Sequence, residues 1–393
     1  MKKQTQAIHL EYERRDAYDS LSVPVYNTLA YEFDNAAVMA EAFTDKIKAP
    51  DYSRVENPTV TNLERRVAAL TDAAHATAFN SGMAAISNTL MALAAQGKNI
   101  VTSKHLFGNT YALLVATLRR FGVKVHLRDL TNIEAVREAI DNDTCCVFLE
   151  ILTNPQLEVA DLKAISEVAH EKNVPLVVDS TVIPFTQFSA KSLGVDIEVV
   201  SSSKYVSGGA TSLGGLVIDY GTPYNGDFAK RLYGEMLFNF GAYMTPQVAY
   251  MQTIGLETLD ARYRVQSSNA LELAKKRSLP QIKYVNYVGL EDNPYHELAQ
   301  RQFGKTAGAM ICIDLESKEA CFSFLNNLKL IHRATNLFDN RSLAIHPAST
   351  IFGAFSENMR KSMDVKDTTI RLSIGLEDVD DLFEDIKQAV DSL

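Results

Sequence analysis

Lys204 stands in a setting unlike that of an ordinary surface lysine. It follows the run Ile197 to Val200, apolar but for Glu198 and expected to be buried, and the three hydroxyls Ser201-Ser202-Ser203, and Gly208-Gly209 comes soon after. Burial at a strand end disfavours an ammonium and lowers its pKa. A neutral amine there can attack a carbonyl and form a Schiff base. The neighbouring Ser201 and Ser203 hydroxyls suit a phosphate. Taken alone, the stretch also reads as a strand end with a solvated lysine.

Four other segments supply matching parts. Asn80-Ser81-Gly82-Met83 runs from a strand into a helix, where small residues leave unpaired N–H groups and a positive dipole end for an anion; an ordinary serine cap is the alternative. Asp179 ends the buried run Val177-Val178 and lies 25 residues before Lys204. A carboxylate there can hold a pyridinium N–H and keep a bound ring an electron sink, or it can simply cap a turn. Tyr52-Ser53-Arg54 offers a phenol and a guanidinium whose fork fits phosphate oxygens, or forms a surface loop. Arg371 lies inside the apolar strand Thr369 to Gly375 and needs a partner. A substrate carboxylate and a structural acid both qualify.

The elements that must position these residues alternate. Strands are expected at 75–79, 99–104, 123–128, 144–150, 174–179, 197–203 and 213–218. Helices are expected at 62–70, 82–96, 109–121, 132–141 and 161–172. Runs such as Pro175-Leu176-Val177-Val178 lack alternation, as strands covered on both faces do. The pattern predicts an α/β domain with a mixed, mostly parallel sheet. Only a glycine-rich loop joins the last two strands, so one of them should run antiparallel. Ligands of such sheets bind beyond the strand carboxyl ends, where Asp179 and Lys204 stand.

Residues 1–55 read as a polar arm with extended pieces, 56–245 as the cofactor-binding α/β domain and 246–393 as a smaller α+β domain. In the last, one long helix is expected over 253–274, strands over 307–315 and 367–375, and helices over 318–328 and 378–390.

Composition narrows the function. The 393 residues are 46% hydrophobic and 22% charged, as in a globular protein. A net charge of −9 and a pI near 5.5 argue against nucleic-acid or anionic-membrane partners. No apolar segment is long enough to span a bilayer, and Met1 to Ser20 lacks a signal core. Cys145, Cys146, Cys312 and Cys321 have neither zinc-ligand nor disulfide-framework spacing. Buried free thiols in a cytoplasmic protein without a metal are the expectation.

In this order and at these separations, the motifs resemble the Cys/Met-metabolism family of pyridoxal-phosphate enzymes. The resemblance runs from Pro24 to Asp391. It implies an aspartate-aminotransferase-like large domain of fold type I with pyridoxal 5'-phosphate held on Lys204. Asp179 would meet the ring nitrogen, and Ser201, Ser203, Ser81, Gly82 and Met83 the phosphate. Tyr52 and Arg54 match a Tyr-x-Arg-x-x-Asn-Pro-Thr motif that reaches the phosphate of a neighbouring subunit, so a homo-oligomer, a tetramer built as a dimer of dimers, is implied. Phe107 stands where an aromatic stacks on the ring, and Asn154 matches the Asn-Pro after strand 144–150. Asn336 and Arg371 would hold the substrate α-carboxylate, with His346-Pro347-Ala348-Ser349 close by.

Within the family, Thr211-Ser212-Leu213-Gly214-Gly215 and Asn336 resemble the O-acylhomoserine sulfhydrylases, which join sulfide to an amino-acid substrate. Phe107 replaces the tyrosine typical of lyases. Losing that phenol removes a candidate acid, which suits an acyloxy leaving group better than a thiolate. A methionine or homocysteine γ-lyase and a cystathionine γ-synthase or lyase are the alternatives; a non-catalytic cofactor-binding protein is a more distant one. The chain departs from the family pattern at Leu152, Ser180, Gly209, Phe338 and Phe352, and the last two are expected beside the substrate pocket.

Overall fold

The computed structural model describes residues 1–10, 16–44, 46–304 and 307–393. Residues 11–15 and 45 of the expected arm lie outside them. Seven strands form the larger sheet: β1 (His75–Phe79), β2 (Asn99–Thr102), β3 (Lys124–Leu127), β4 (Thr144–Glu150), β5 (Leu176–Asp179), β6 (Ile197–Val200) and β7 (Gly215–Asp219). Their order is β1-β7-β6-β5-β4-β2-β3. β7 runs antiparallel to both its neighbours, and the other pairs are parallel. The 201–214 connection holds only the short turn Tyr205–Ser207 and no crossover helix, so the chain returns antiparallel, as expected.

Successive strand residues feed opposite faces. Phe148, Val177 and Val199 join the apolar cluster on one side. Val147, Leu149, Val178 and Val200 join the other, which continues through Phe303 and Phe324 to Ile313 and Ile370. That second cluster binds the larger sheet to a smaller mixed one of β8 (Tyr284–Asn286), β9 (Met310–Asp314), β10 (His332–Arg333), β11 (Leu343–Ile345) and β12 (Thr369–Ser373), ordered β10-β11-β12-β9-β8. β10 and β11 are parallel and the rest antiparallel.

Several expectations need correction. The region 253–274 is two helices, Pro246–Glu257 and Leu259–Lys275, which meet at Thr258, whose ψ of 1° leaves the helical region. The helix expected at 109–121 is a composite. An α-helical turn, Gly108–Ala112, passes into a π turn, Leu113–Thr117, and a 3-10 turn, Leu118–Phe121. The arm is not only extended, since it contains helices Lys3–His9 and Ala36–Phe43. The Asn35 side chain caps the second by accepting from Ala37 N and Val38 N. β8, β10 and β11 are two or three residues long, too short to display a period. Strands expected to reach 104 and 203 stop at Thr102 and Val200, where the chain turns out of the sheet toward the site.

Candidate active site

A cavity of about 590 Å³ opens at the carboxyl ends of β4, β5 and β6. Glu150 ends β4, Asp179 ends β5, and the two are register partners, so both side chains face the cavity. Burial pushes both carboxyls up, and the charge of Asp179 raises Glu150 further. Asp179 Oδ1 accepts from Thr181 N at 2.9 Å. Glu150 Oε1 accepts from Phe107 N at 2.5 Å, which ties the Phe107 turn to the sheet. Glu150 escaped the sequence reading. Its signal was the same as that of Asp179, an acid ending an apolar strand.

Lys204 lies in the cavity wall, and its Nζ donates to Asn336 Oδ1 at 2.7 Å. Burial, then the Arg371 charge, lowers its pKa to about 8. An appreciable fraction of the amine is thus neutral near pH 7.

Arg371, on β12, is buried without a carboxylate among the described residues. Its Nη1 donates to Asn154 Oδ1 at 3.2 Å and Nη2 to the Asn336 carbonyl at 3.0 Å, while the buried Nε has no partner. Burial lowers its pKa to about 10. A buried guanidinium held only by neutral oxygens suits an incoming carboxylate.

Ser81 caps the helix Gly82–Leu93, its Oγ accepting from Ala84 N at 3.1 Å. The N–H groups of Gly82 and Met83 precede the first helical bond, Ala85 N to Ser81 O, and both residues line the cavity. A Cβ on Gly82 would stand 2.6 Å from Ser201 Cβ, so glycine is what lets the 201–204 segment close against the helix start. Ser201 lines this cradle. Ser203 lines it too, but its hydroxyl is engaged by Gly214, accepting from N at 2.9 Å and donating to O at 3.2 Å. Phe107 and Asn154 also line the cavity.

Two expected residues are elsewhere. Tyr52 is exposed, and Arg54 Nη1 donates to Phe238 O at 2.5 Å with its guanidinium 5.4 Å from the Tyr52 ring centre. Neither lines the cavity within one chain. Phe338 and Phe352, expected beside the pocket, are fully buried and do not line it. Phe338 adopts φ of 58° and stacks on Tyr205 with ring centres 4.0 Å apart. Phe352 packs with Ala348, Met363 and Val365. His346 holds its own turn, with Nδ1 2.8 Å from Ser349 Oγ and Nε2 2.8 Å from Asp367 O. The four cysteines are free, and among the described residues no cluster of metal-ligating side chains occurs. No helix of the described residues is long and apolar enough to cross a membrane.

The donor set fits pyridoxal phosphate. There is an amine poised near neutrality, an acid deep at a strand end, and a glycine cradle at a helix start that a Cβ would fill. A mixed, mostly parallel sheet with this constellation at its carboxyl edge defines the aspartate-aminotransferase-like class of pyridoxal-phosphate proteins.

The model of one family in that class, described as Cys/Met metabolism PLP-dependent enzyme, matches residues 4–391, and the chain belongs to that family. An L-methionine gamma-lyase of Fusobacterium nucleatum subsp. polymorphum is 37% identical over 99% of this chain and 98% of the relative. An O-acetyl-L-homoserine sulfhydrylase of Corynebacterium glutamicum is 31% identical over 98% of this chain and 95% of its own. A solved structure described as an O-acetylhomoserine (thiol)-lyase of Campylobacter jejuni subsp. jejuni, with N'-pyridoxyl-lysine-5'-monophosphate, is 34% identical. It superimposes with a TM-score of 0.95 over 100% of both chains.

Proposed function

We propose that the protein is an O-acylhomoserine sulfhydrylase that replaces the acyloxy group of O-acetyl-L-homoserine with sulfide to give homocysteine. The observation that carries the reading is the trio Lys204, Asn336 and Arg371. The amine, the amide that orients it and the guanidinium are linked by the contacts Lys204 Nζ to Asn336 Oδ1 and Arg371 Nη2 to Asn336 O. Arg371 grips the substrate α-carboxylate and so sets the Cα–H toward the Lys204 amine. Lys204 takes that proton, gives it up, and as a free amine takes a second from Cβ. The Cγ acyloxy group then leaves as the carboxylate, hydrosulfide adds at Cγ, and protons return to Cβ and Cα by the same lysine.

Bound in the cavity, pyridoxal phosphate supplies the electron sink for the charge developed at Cα. Asp179 would hold the ring N–H, Phe107 would cover the ring, and Asn154 would bind a polar group of the ring. Ser81, Gly82, Met83 and Ser201 would receive the phosphate, and Ser203, whose hydroxyl is engaged by Gly214, would brace the turn beside them. Phe107 cannot donate a proton to the leaving group, which acetate needs less than a thiolate does. Leu152, Val182, Leu213, Leu337 and Ile351 give the cavity an apolar wall that limits access of water to Cγ. The arm 1–55 carries Tyr52 and Arg54 into a partner's phosphate site, and the assembly is a cytoplasmic homotetramer of two dimers. Sedimentation tests this, since a fully active monomer would refute it.

A methionine γ-lyase is the second reading, favoured by the 37% identity to the Fusobacterium lyase. Steady-state rates with O-acetylhomoserine, O-succinylhomoserine and methionine, each with and without sulfide, separate the two. Homocysteine from O-acetylhomoserine only when sulfide is present supports the sulfhydrylase. Faster formation of 2-oxobutanoate from methionine overturns it.

A further inference from the structure

The segment 346–365 closes on the turn that carries Phe107. A Cβ on Gly108 would stand 2.9 Å from Ile351 O and 3.1 Å from the Phe355 ring, so the glycine lets the segment press onto the turn. Tyr111 and Phe355 meet edge to face with ring centres 5.9 Å apart. Gln156 Nε2 donates to Met363 O at 2.7 Å. One member of the segment, Ile351, lines the cavity.

His105, two residues before Phe107, joins the far end of this segment to the rest. Its ring is buried, with Nε2 2.8 Å from Asp364 Oδ2 and Nδ1 3.1 Å from Glu158 Oε2. A neutral imidazole has one N–H, so only the imidazolium can donate to both carboxylates. Lys104 Nζ, 2.7 Å from the same Asp364 oxygen, shares that acceptor and, against burial, holds the Asp364 carboxyl with His105 below its ordinary range.

We infer that His105, as an imidazolium between Glu158 and Asp364, is a positioning residue that fastens segment 346–365 over the Phe107 turn and so holds Phe107 and Ile351 in the cavity wall. The inference rests on reading the cavity as the cofactor and substrate site.

The charged and titratable groups around the ring are Glu158 and Asp364 in contact, Lys104 on Asp364, Asp129 nearby and Tyr295 against Glu158. Burial works against the imidazolium, but Glu158 and then Asp364 outweigh it and hold the pKa above 6.5. The fastening is therefore complete at acid pH and is lost as pH rises through that raised value.

The test uses holoenzyme of the wild type, His105→Gln and Asp364→Asn. Peptide-resolved hydrogen exchange, corrected for intrinsic rates and measured without substrate, is followed across the neutral and alkaline range beside KM for O-acetylhomoserine. In the wild type, exchange over 346–365 should accelerate with pH and KM should rise about tenfold, the worth of one charge-assisted hydrogen bond. His105→Gln should be loose at every pH, with raised KM, little change in kcat and no such pH dependence. Asp364→Asn, at a more exposed position, should fall between the two. Exchange in His105→Gln and Asp364→Asn that tracks the wild type at every pH overturns the inference. A wrong reading of the cavity would instead abolish turnover with O-acetylhomoserine while leaving the histidine-dependent exchange profile intact.

Discussion

The site has a strand-borne half and a loop-borne half, and they are held by different means. Glu150, Asp179 and Arg371 sit on β4, β5 and β12, where ladder hydrogen bonds and apolar layers on both faces dictate their direction. Phe107, Asn336 and the 201–204 segment sit on connections, and each is aimed by a few side-chain bonds. Phe107 depends on Glu150, and Asn336 on Lys204 and Arg371. Phe338, next along from Leu337, keeps a left-handed backbone that a non-glycine residue adopts only at a cost of about 1–2 kcal/mol. Its Tyr205 stack and the Phe338 N to Ser373 Oγ bond of 2.7 Å hold it there. The strands thus supply charge at fixed depth, and the loops supply reach.

The largest effect should come from the residue that serves both halves. Lys204→Ala should lower turnover by more than about a thousandfold, the scale of a lost general base, and borohydride should no longer tag this peptide with cofactor. Labelling elsewhere with activity retained would break the whole scheme.

Next is Arg371→Ala. It should raise substrate KM by about a hundredfold, the worth of a charge-assisted bidentate contact, with cofactor still bound. The same change removes a like charge from Lys204. Its midpoint, about 8 with Arg371 present, should then move up, and its reaction with aldehydes at neutral pH should slow. An unchanged midpoint would mean that burial alone sets the amine.

The two strand-end acids give a sharper contrast. Asp179→Asn should cut kcat by about a hundredfold, since it uncouples the charge that keeps the ring protonated. Glu150→Gln keeps an acceptor for Phe107 N and should stay within about threefold, because that contact needs only a carbonyl oxygen. Equal losses would show that Glu150 acts as an anion.

The loop half shows itself in stability and not in turnover. Phe338→Gly relieves about 1–2 kcal/mol of backbone strain but forfeits about 3–5 kcal/mol of buried ring, so urea unfolding should report a net loss of about 2–3 kcal/mol. A variant more stable than the parent would mean that the stack contributes nothing.

The same division explains what the sequence made legible. β4 and β5 announce themselves as unbroken apolar runs because both faces are covered, while Glu198 interrupts β6, and Asp179 and Lys204 stand out by ending or following these strands. The antiparallel β7 could be inferred from a connection with no crossover helix. Glu150 carried the same signal as Asp179, yet it lacked the downstream lysine that drew attention to the other. The direction of Phe338 was hidden. Its burial depends on Tyr205, more than a hundred residues away, and no local pattern encodes that contact. The break at Thr258 was hidden likewise. No proline stands there and no side chain caps the helix Leu259–Lys275, while Gly255, just before the break, lies against Val206 and Gly208 of the loop after Lys204.

One consequence follows from the opposed positions of Glu150 and Asp179. Neighbouring strands here slide only in whole-residue steps, and each step reverses which side a residue presents. A slip of one between β4 and β5 would turn one acid into the oily layer and leave the other alone at the mouth. Chemistry and folding accuracy are therefore checked by the same alignment, and a misthreaded chain disqualifies itself by having to hide a carboxyl without a partner in hydrocarbon.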